Sequence, residues 1–350
     1  MHFTIWIENR PDKGEDALPS LQLNNTQTKG ILAVYDGLGG AGSKVYAYNN
    51  VLGEEEQRSG AYLASRLAKQ VTEQYFDEWM TNTPSLSFSV AQLKDQLAST
   101  FAERIKILDK NPSKLRSKLI KRLPTTIAGV YFESTGQNMV QLTCFWAGDS
   151  RCYLLTANGL KQLSVDDLNG NPDALENLTL DATISNCVDA EGHYRLNSLE
   201  MTVNEPVILI TATDGCFGYV NSPAHFEYLL LKTLVQSQYD IEAWKERLEE
   251  SLLTIAGDDV SMSVLALGMK TLEDWKIYFY ERFKKVQVDY VLPLDEAEAN
   301  ITQLSKQEGF LPVKIEQLEE QKRELKEQLW EKYKINYYTT QASKNRNNND

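Results

Sequence analysis

A short apolar run that stops at an Asp-Gly pair constrains the fold of this chain more than any other feature. Residues 30–43 read GILAVYDGLGGAGS, in which β-branched and aromatic side chains give way to residues that tolerate positive φ. We predict a buried strand over 31–35 and a turn at Asp36 and Gly37. The Asp36 carboxylate and the unshielded Gly37 carbonyl could together hold a hard cation. A plain hairpin turn would explain the same residues, because Asp-Gly is a very common turn pair.

The same arrangement recurs in the second half of the chain. The apolar run 206–213 ends at Asp214, and Asp258 stands just before the apolar run 260–267. A structural turn needs an aspartate no more than it needs Asn or Ser. Aspartates at three boundaries of apolar strands, with Asp36 as the first, therefore predict convergence on a cation.

Composition limits the class of function. The 350 residues are 42% hydrophobic, enough for a sizeable core, and carry a formal charge of −13. Such a surface repels polyanions, so we expect neither nucleic acid nor an anionic membrane as the main partner. No segment has the roughly 18 consecutive apolar residues of a membrane span, and the first residues lack a signal-peptide pattern. We therefore expect a cytoplasmic protein.

The four cysteines predict neither disulfides nor a thiol nucleophile. They are scattered without a CxxC pair, and a chain of this size does not need disulfide staples, so we expect reduced, buried thiols. Cys216 follows an Asp-Gly pair but lacks the Cys-x5-Arg pattern of a catalytic cysteine.

Hydrophobic spacing predicts a mixed α and β chain. The predicted helices cover 54–80, 90–108, 226–236 and 241–255. The predicted strands cover 2–8, 31–35, 125–132, 139–147, 151–155, 159–163, 206–213 and 260–267. We expect the four strands between 125 and 163 to form an antiparallel meander, and 166–205 to be a loop-rich excursion near the working face.

The chain changes character near residue 270. Residues 272–288 are rich in aromatics, and 312–338 predict a charged helix with apolar residues near heptad spacing. We expect this helical extension, 271–340, to pack back on the main domain, because the repeat spans too few heptads for a coiled coil. Self-association or partner docking through the extension is the alternative. Residues 341–350 are expected to be disordered.

Six motifs together resemble the metal-dependent serine/threonine protein phosphatases of type 2C. In family order they are GEDA at 14–17, VYDGLGG at 34–40, PTT at 124–126, WAGDSR at 146–151, TATDG at 211–215 and GDDVSMSVL at 257–265. The resemblance implies a catalytic domain over residues 1–270. It also implies the family's α+β fold, a four-layer αββα sandwich of two antiparallel sheets flanked by helices.

The resemblance implies that Asp36 bridges two Mg²⁺ or Mn²⁺ ions. Glu15 and the Gly37 carbonyl would complete the site of one ion. Asp214 and Asp258 would complete the site of the other.

Further roles follow from the same resemblance. Asp16 would orient a metal-bound water, and Asp149 corresponds to an aspartate that helps Asp214 hold a third ion in bacterial relatives. Asp259 stands where the family usually has Asn, and we do not expect it to be a ligand.

Two positions depart from the family pattern. The family usually has an Arg four residues before the Glu, to hold the substrate phosphate, but here that residue is Pro11 and the nearest candidates are Arg10 and Lys13. The His that follows Asp-Gly in many eukaryotic members is Leu38 here, which indicates a bacterial-type member.

The function implied is hydrolysis of phosphoserine or phosphothreonine in proteins by a water activated between two Mg²⁺ or Mn²⁺ ions. No covalent nucleophile is needed, and all-oxygen ligands suit such hard ions. The alternative is a catalytically weak or inactive phosphatase fold that serves as a binding or regulatory module and docks partners through its helical tail. Small phosphorylated compounds are a third class of target that the sequence leaves open.

Overall fold

Two five-stranded antiparallel sheets face each other at the centre of the protein. The structure is a computed structural model that describes residues 1–49, 53–82, 88–109, 120–136, 138–170, 173–178, 182–305 and 312–339. Its strands are β1 (His2–Ile7), β2 (Ser20–Leu23), β3 (Lys29–Val34), β4 (Val45–Asn49), β5 (Glu55–Ser59), β6 (Ile127–Gly136), β7 (Met139–Ala147), β8 (Arg151–Thr156), β9 (Gly159–Gln162), β10 (Asn197–Asn204), β11 (Val207–Ala212) and β12 (Val260–Leu267). The first sheet has the order β1-β12-β11-β8-β9, the second has the order β10-β7-β6-β3-β2, and β4 pairs with β5 in a separate ribbon.

Helices cover the outer faces of both sheets. The helices of the described residues are α1 (Gly60–Asn82), α2 (Val90–Leu108), α3 (Asp214–Phe217), α4 (Pro223–Gln236), α5 (Ile241–Ile255), α6 (Leu272–Val286), α7 (Leu292–Ser305) and α8 (Pro312–Tyr337). A π-helical turn, Gln287–Val291, joins α6 to α7. Among the described residues, none of these helices combines the length and the apolar character that crossing a bilayer requires.

Three hydrophobic clusters separate the layers. One lies between the two sheets, one between the second sheet and α1 with α2, and one between the first sheet and α4, α5, α6 and α8. β3 from Gly30 onward and the whole of β11 are buried and mostly apolar, because both of their faces are covered. The expected four-layer αββα sandwich with a C-terminal helical region is confirmed.

The predicted meander between 125 and 163 was wrong in its connectivity. β6 and β7 pair in the second sheet, whereas β8 and β9 pair in the first. The chain crosses from one sheet to the other at residues 148–150. Alternation of apolar and polar residues identifies a strand but not its partner. The two-residue periodicity therefore does not show that the chain passes from one sheet to the other.

Two other predictions needed correction. The helix predicted from residue 54 starts at Gly60, because 55–59 form β5, which pairs with β4. The excursion 166–205 contains β10, an edge strand whose side chains alternate between exposed and partly buried. An edge strand with one solvated face lacks the apolar run that revealed the buried strands.

The helical extension packs on the outer face of the first sheet. Trp275 and Phe279 of α6 and Trp330 and Tyr337 of α8 are buried in the same cluster as α4 and α5. This agrees with the expectation that the extension folds back. The segment predicted to be disordered, 341–350, lies outside the described residues.

Candidate active site

The corner after β3 is held by the segment that precedes β6. The Asp36 carbonyl accepts hydrogen bonds from the Thr126 backbone N–H at 2.8 Å and from the Thr125 hydroxyl at 2.7 Å. β3 pairs with β2 and β6, so the chain does not turn back on itself after Asp36. The hairpin interpretation is therefore excluded, and the Asp36 carboxylate stands at the end of a buried strand.

Gly37 is crowded by backbone atoms from two other segments. A Cβ at this position would lie 2.6 Å from the carbonyl oxygens of Ala61 and Glu15. Only glycine lets the start of α1 and the Glu15 loop approach the Asp36 corner this closely.

Asp259 ties the loop that carries Glu15 and Asp16 to the start of β12. Its buried carboxylate accepts hydrogen bonds from the Glu15 backbone N–H at 2.6 Å and from the Asn9 backbone N–H at 2.8 Å. The Glu15 carboxylate accepts a hydrogen bond from the Ser59 hydroxyl. Burial raises the pKa of Glu15, and the Ser59 hydrogen bond opposes that rise.

Asp16 is held at the end of β11. Its carboxylate is buried and accepts a hydrogen bond at 2.9 Å from the Thr213 hydroxyl, which itself accepts the Ser261 backbone N–H at 3.0 Å. Burial raises the pKa of Asp16 well above its usual range, and the charges of Asp214 and Asp259 raise it further.

Two cavities divide the predicted acidic residues. The first cavity has a volume of about 380 Å³ and is lined by the predicted residues Glu15, Asp16, Asp36, Gly37 and Asp258. The second cavity has a volume of about 350 Å³ and is lined by the predicted residues Asp149 and Asp214. The three strand-boundary aspartates are thus brought to one end of the sandwich, but Asp214 faces a different cavity from the other two.

The carboxylates interact across the two cavities. Burial raises the pKa of Asp36 well above its usual range, and the charges of Asp16, Asp214 and Asp149 add to the rise. Burial and the charge of Asp214 raise the pKa of Asp149 to about 8. Burial and the charge of Asp258 raise the pKa of Asp214 to about 6. The carboxylates of the two cavities therefore act electrostatically as one acidic centre.

A buried ion pair lies beside the second cavity. Arg151, two residues after Asp149, binds Asp166 through two hydrogen bonds of 2.9 and 2.6 Å. Its guanidinium lies 4.1 Å from the centre of the Phe217 ring. Because Asp166 already neutralises Arg151, the acidic centre keeps its excess of negative charge.

The donor set fits Mg²⁺ or Mn²⁺. Carboxylates and a backbone carbonyl are the ligands that such hard ions prefer. Asp149 Oδ1 is buried and has no hydrogen-bond partner within the described part of the chain. Within the described ranges, no group of three or more Asp, Glu, His or Cys side chains is arranged as a finished ligand set for one ion. Mg²⁺ usually takes one or two protein carboxylates and keeps several waters, so this arrangement still suits it.

Arg10 and Lys13 stand at the mouth of the first cavity. Both side chains are exposed, both residues line the cavity, and a backbone hydrogen bond of 3.0 Å closes the turn between them. Arg10 and Lys13 are the only basic residues that line the first cavity among the described residues.

Leu38, the residue after the Asp-Gly pair, is partly buried, and its backbone N–H donates to the Pro124 carbonyl at 3.2 Å.

Sequence reasoning assigned no role to Thr213, Ser59 or Asp166, and it considered Asp259 only as a residue that is not a ligand. The structure makes Asp259 the anchor of the Glu15 loop. No motif could reveal this, because the two partners are joined by a side chain and a backbone N–H far apart in sequence.

A usable signal was present in β12. Ser261 and Ser263 are polar residues inside a strand that is buried on both faces. Their hydroxyls donate to the carbonyls of Ala17 and Ser20 at 3.1 and 3.0 Å. Buried polar groups nearly always have a partner, so these alternating serines indicated contact with another polar segment.

The architecture is that of the bacterial serine/threonine phosphatases, and the type 2C fold implied by the motifs is confirmed. The chain is similar to serine/threonine phosphatase PstP/Ppp of Mycobacterium tuberculosis, with a TM-score of 0.50, 18% identity, and coverage of 77% of this chain and 99% of that one. It is similar to serine/threonine phosphatase Stp1 of Staphylococcus aureus, with a TM-score of 0.52, 17% identity, and coverage of 77% and 94%. It is also similar to PppA of Pseudomonas aeruginosa, with a TM-score of 0.50, 19% identity, and coverage of 76% and 97%.

The sequence comparisons are negative. No family model matches the chain, and none of the curated proteins is a significant match. The structural similarity at these identities establishes the fold, and the function has to be argued from the site.

Proposed function

We propose that this protein is a metal-dependent phosphatase that hydrolyses phosphoserine or phosphothreonine in other proteins. The observation that carries the proposal is the convergence of carboxylates on two cavities, with Asp16 buried and Asp36, Asp149 and Asp214 partly buried. Burial and the charges of neighbouring carboxylates raise the pKa of each of the four. Such a concentration of negative charge is costly unless cations compensate it. The solved structures named above are described as serine/threonine phosphatases in two of three cases, which supports the same reaction class.

We assign the ligands by the motif positions. Asp36 would bridge two ions, Glu15 and the Gly37 carbonyl would hold the first, and Asp214 and Asp258 would hold the second. When bound, Mg²⁺ or Mn²⁺ would lower the pKa of a nearby water molecule and place positive charge against the phosphoryl oxygens.

A third ion is part of the same proposal. Asp149 Oδ1 is buried without a hydrogen-bond partner in the described part of the chain, and Asp149 shares the second cavity with Asp214. These two carboxylates would hold the third ion.

The remaining residues orient the reactants. Asp16, fixed by the Thr213 hydroxyl, would accept a hydrogen bond from the attacking water and orient it toward phosphorus. Arg10 and Lys13 would hold the substrate phosphate at the mouth of the first cavity. We expect Arg10→Ala or Lys13→Ala to raise KM for a phosphopeptide with a smaller change in kcat, whereas Lys232→Ala, on the exposed surface of α4, leaves KM unchanged.

The deciding experiment is Mn²⁺-dependent hydrolysis of a phosphothreonine peptide. Asp36→Asn and Asp214→Asn should lower activity by more than about 100-fold, since even groups that only orient metal ligands are worth roughly 10- to 100-fold. Asp295→Asn, which removes an exposed carboxylate that contacts His225 outside the site, is the control and should retain activity. Wild-type activity no higher than that of both variants, together with no Mn²⁺ uptake, would refute the proposal.

The proposal also includes the location of the protein. All four cysteines are free and buried, as expected, and this supports our proposal of a cytoplasmic location.

The aromatic side of the extension is already buried against the first sheet, so we do not propose the alternative function of a non-catalytic docking module.

A further inference from the structure

The end of α8 contacts the segment 173–178. The Trp330 indole N–H donates to the Asp173 carboxylate at 3.0 Å. The Tyr338 hydroxyl accepts the Ala174 backbone N–H at 2.8 Å. The segment is thus held to the extension by one side-chain and one backbone hydrogen bond.

The other end of this segment borders the acidic centre. Asn177 and Leu178 line the second cavity together with Asp149 and Asp214. The Asn177 amide donates at 2.9 Å to Asp166, the partner of Arg151. A displacement of 173–178 would therefore shift part of the wall of the second cavity and change the hydrogen bond to the ion pair beside it.

A second connection runs through Tyr337. Tyr337 is 1% exposed, and its ring centre lies 6.5 Å from that of Tyr153. The Tyr153 hydroxyl accepts a hydrogen bond of 3.3 Å from Arg151. Tyr337 thus packs against the residue that shares Arg151 with Asp166.

The third connection uses β9. Tyr338 forms an isolated β-bridge with Gln162, whose side-chain amide donates to Asp166 at 2.9 Å. The Asp166 carboxylate therefore accepts hydrogen bonds from three side chains, those of Arg151, Gln162 and Asn177. Each of these three residues is linked to the last residues of the extension.

We propose that Tyr337 and Tyr338 are positioning residues for the second cavity: they fix the Asp166 hydrogen-bond network and the segment 173–178, and so set the positions of Asp149 and Asp214. The proposal rests on the proposed function for its effect on catalysis. It makes the extension a part of the active site's support, and not an appendage to a self-sufficient domain.

The chain offers a matched pair of tyrosine variants. Tyr338→Phe removes the hydroxyl that accepts the Ala174 N–H and leaves that donor unsatisfied. Tyr333→Phe also removes one hydroxyl from the extension, but that hydroxyl belongs to α8 and donates to Glu227 of α4. Both variants weaken the extension, and only the first acts on the segment that borders the cavity.

The first measurement is hydrogen exchange without metal, followed by calorimetric titration with Mn²⁺. Tyr338→Phe should speed exchange of the backbone amides of 173–178 and weaken the weakest Mn²⁺ site by about 10-fold, the size expected for an outer-shell support. It should also lower kcat while KM stays unchanged. Tyr333→Phe should lower the melting temperature yet leave exchange of 173–178 and Mn²⁺ affinity as in the wild type.

The outcomes separate the two proposals. Wild-type exchange and Mn²⁺ affinity in Tyr338→Phe, or equal losses in Tyr333→Phe, would overturn the positioning role. If the wild type binds no Mn²⁺, the proposed function fails, and the exchange comparison alone still decides whether Tyr338 fixes the segment. A second variant, Asn177→Ala, should change the same readouts in the same direction, with faster exchange of 173–178, weaker Mn²⁺ binding and lower kcat. Combining it with Tyr338→Phe should add less than the sum of the two effects.

Discussion

The Asp259 carboxylate accepts the Glu15 backbone N–H at 2.6 Å, across 244 positions of sequence. Its other oxygen accepts the Asn9 N–H, so one side chain at the start of β12 holds both ends of the loop that carries Glu15 and Asp16. A carboxylate with two such bonds to backbone N–H groups is used to build the loop. These bonds give Asp259 a role in the site that does not depend on metal binding.

Replacing Asp259 should loosen this loop in two graded steps. Asp259→Ala leaves two partly buried N–H groups without this acceptor and should lower the free energy of unfolding by about 1–3 kcal/mol. Asp259→Asn keeps one acceptor oxygen and should lose less stability, with weaker Mn²⁺ binding in both variants. Urea denaturation and Mn²⁺ titration measure the two effects, and an Asn variant that is less stable than the Ala variant would contradict this account.

Two adjacent glycines provide a test of the Glu15 position. A Cβ on Gly39 would collide with Glu15 Oε2, whereas a Cβ on Gly40 would meet nothing within 4 Å. Because the end of the Glu15 side chain can move aside, Gly39→Ala should reduce divalent-metal affinity while changing the melting temperature little. Gly40→Ala is the control and should bind metal like the wild type. Equal metal affinity in both variants would argue against Glu15 as a ligand.

The metal-free protein should become less stable as pH rises. Asp214 and Asp149 have an ordinary pKa of 3.8, and the folded protein raises it to about 6 and about 8. The folded state therefore binds more protons across this interval, and the stability that protonation provides is lost as pH rises through the raised pKa values.

Urea denaturation in the presence of a chelator, at several pH values between about 5 and about 8, measures this slope. Saturating Mg²⁺ should abolish or reverse the slope, because the cation replaces the protons. Asp149→Asn should flatten the slope without metal, and a metal-free protein whose stability rises over the same interval would disprove the assignment.

The attachment of the extension depends on a buried ion pair. Glu227 of α4 is fully buried and binds Arg282 of α6 through bonds of 2.6 and 2.7 Å. Arg282→Met leaves that carboxylate unpaired and should destabilise the protein by about 3–5 kcal/mol. Arg282→Met combined with Glu227→Leu should recover part of the loss, because it removes the unpaired charge but leaves the Tyr333 hydroxyl without its acceptor. A double variant as unstable as the single one in chemical denaturation would show that the ion pair itself, and not the unpaired charge, matters.

Elements with a strong local signal were predicted well. α2 begins after Ser89, whose side chain accepts the Gln92 N–H, and its buried residues recur at helical spacing, so its bounds match the prediction. β12, which is apolar apart from Ser261 and Ser263, also has the predicted bounds. β10 was missed although its side chains alternate, because it lacks a continuous apolar run and one of its faces is solvated.

In the candidate site too, residues beside a strong strand signal were predicted, and contacts made by the packing of distant segments were not. Asp36, Asp214 and Asp258 could be placed at one end of the sandwich, because each adjoins the end of an apolar strand. Their distribution over two cavities depends on how the first and second sheets pack, and sequence spacing carries no information on that packing. Contacts such as that of Asp259 with Glu15 were beyond reach for the same reason.

β1 pairs with β12, from His2 opposite Leu265 to Ile7 opposite Val260. During synthesis on the ribosome, β1 emerges well before its partner, because ten other strands of the described residues lie between β1 and β12 in the sequence. Until then the apolar β1 remains an unpaired strand, the kind of exposed edge that invites aggregation. The first sheet can therefore form completely only late in synthesis. Until then, the segments between β1 and β12 must keep the nascent chain soluble.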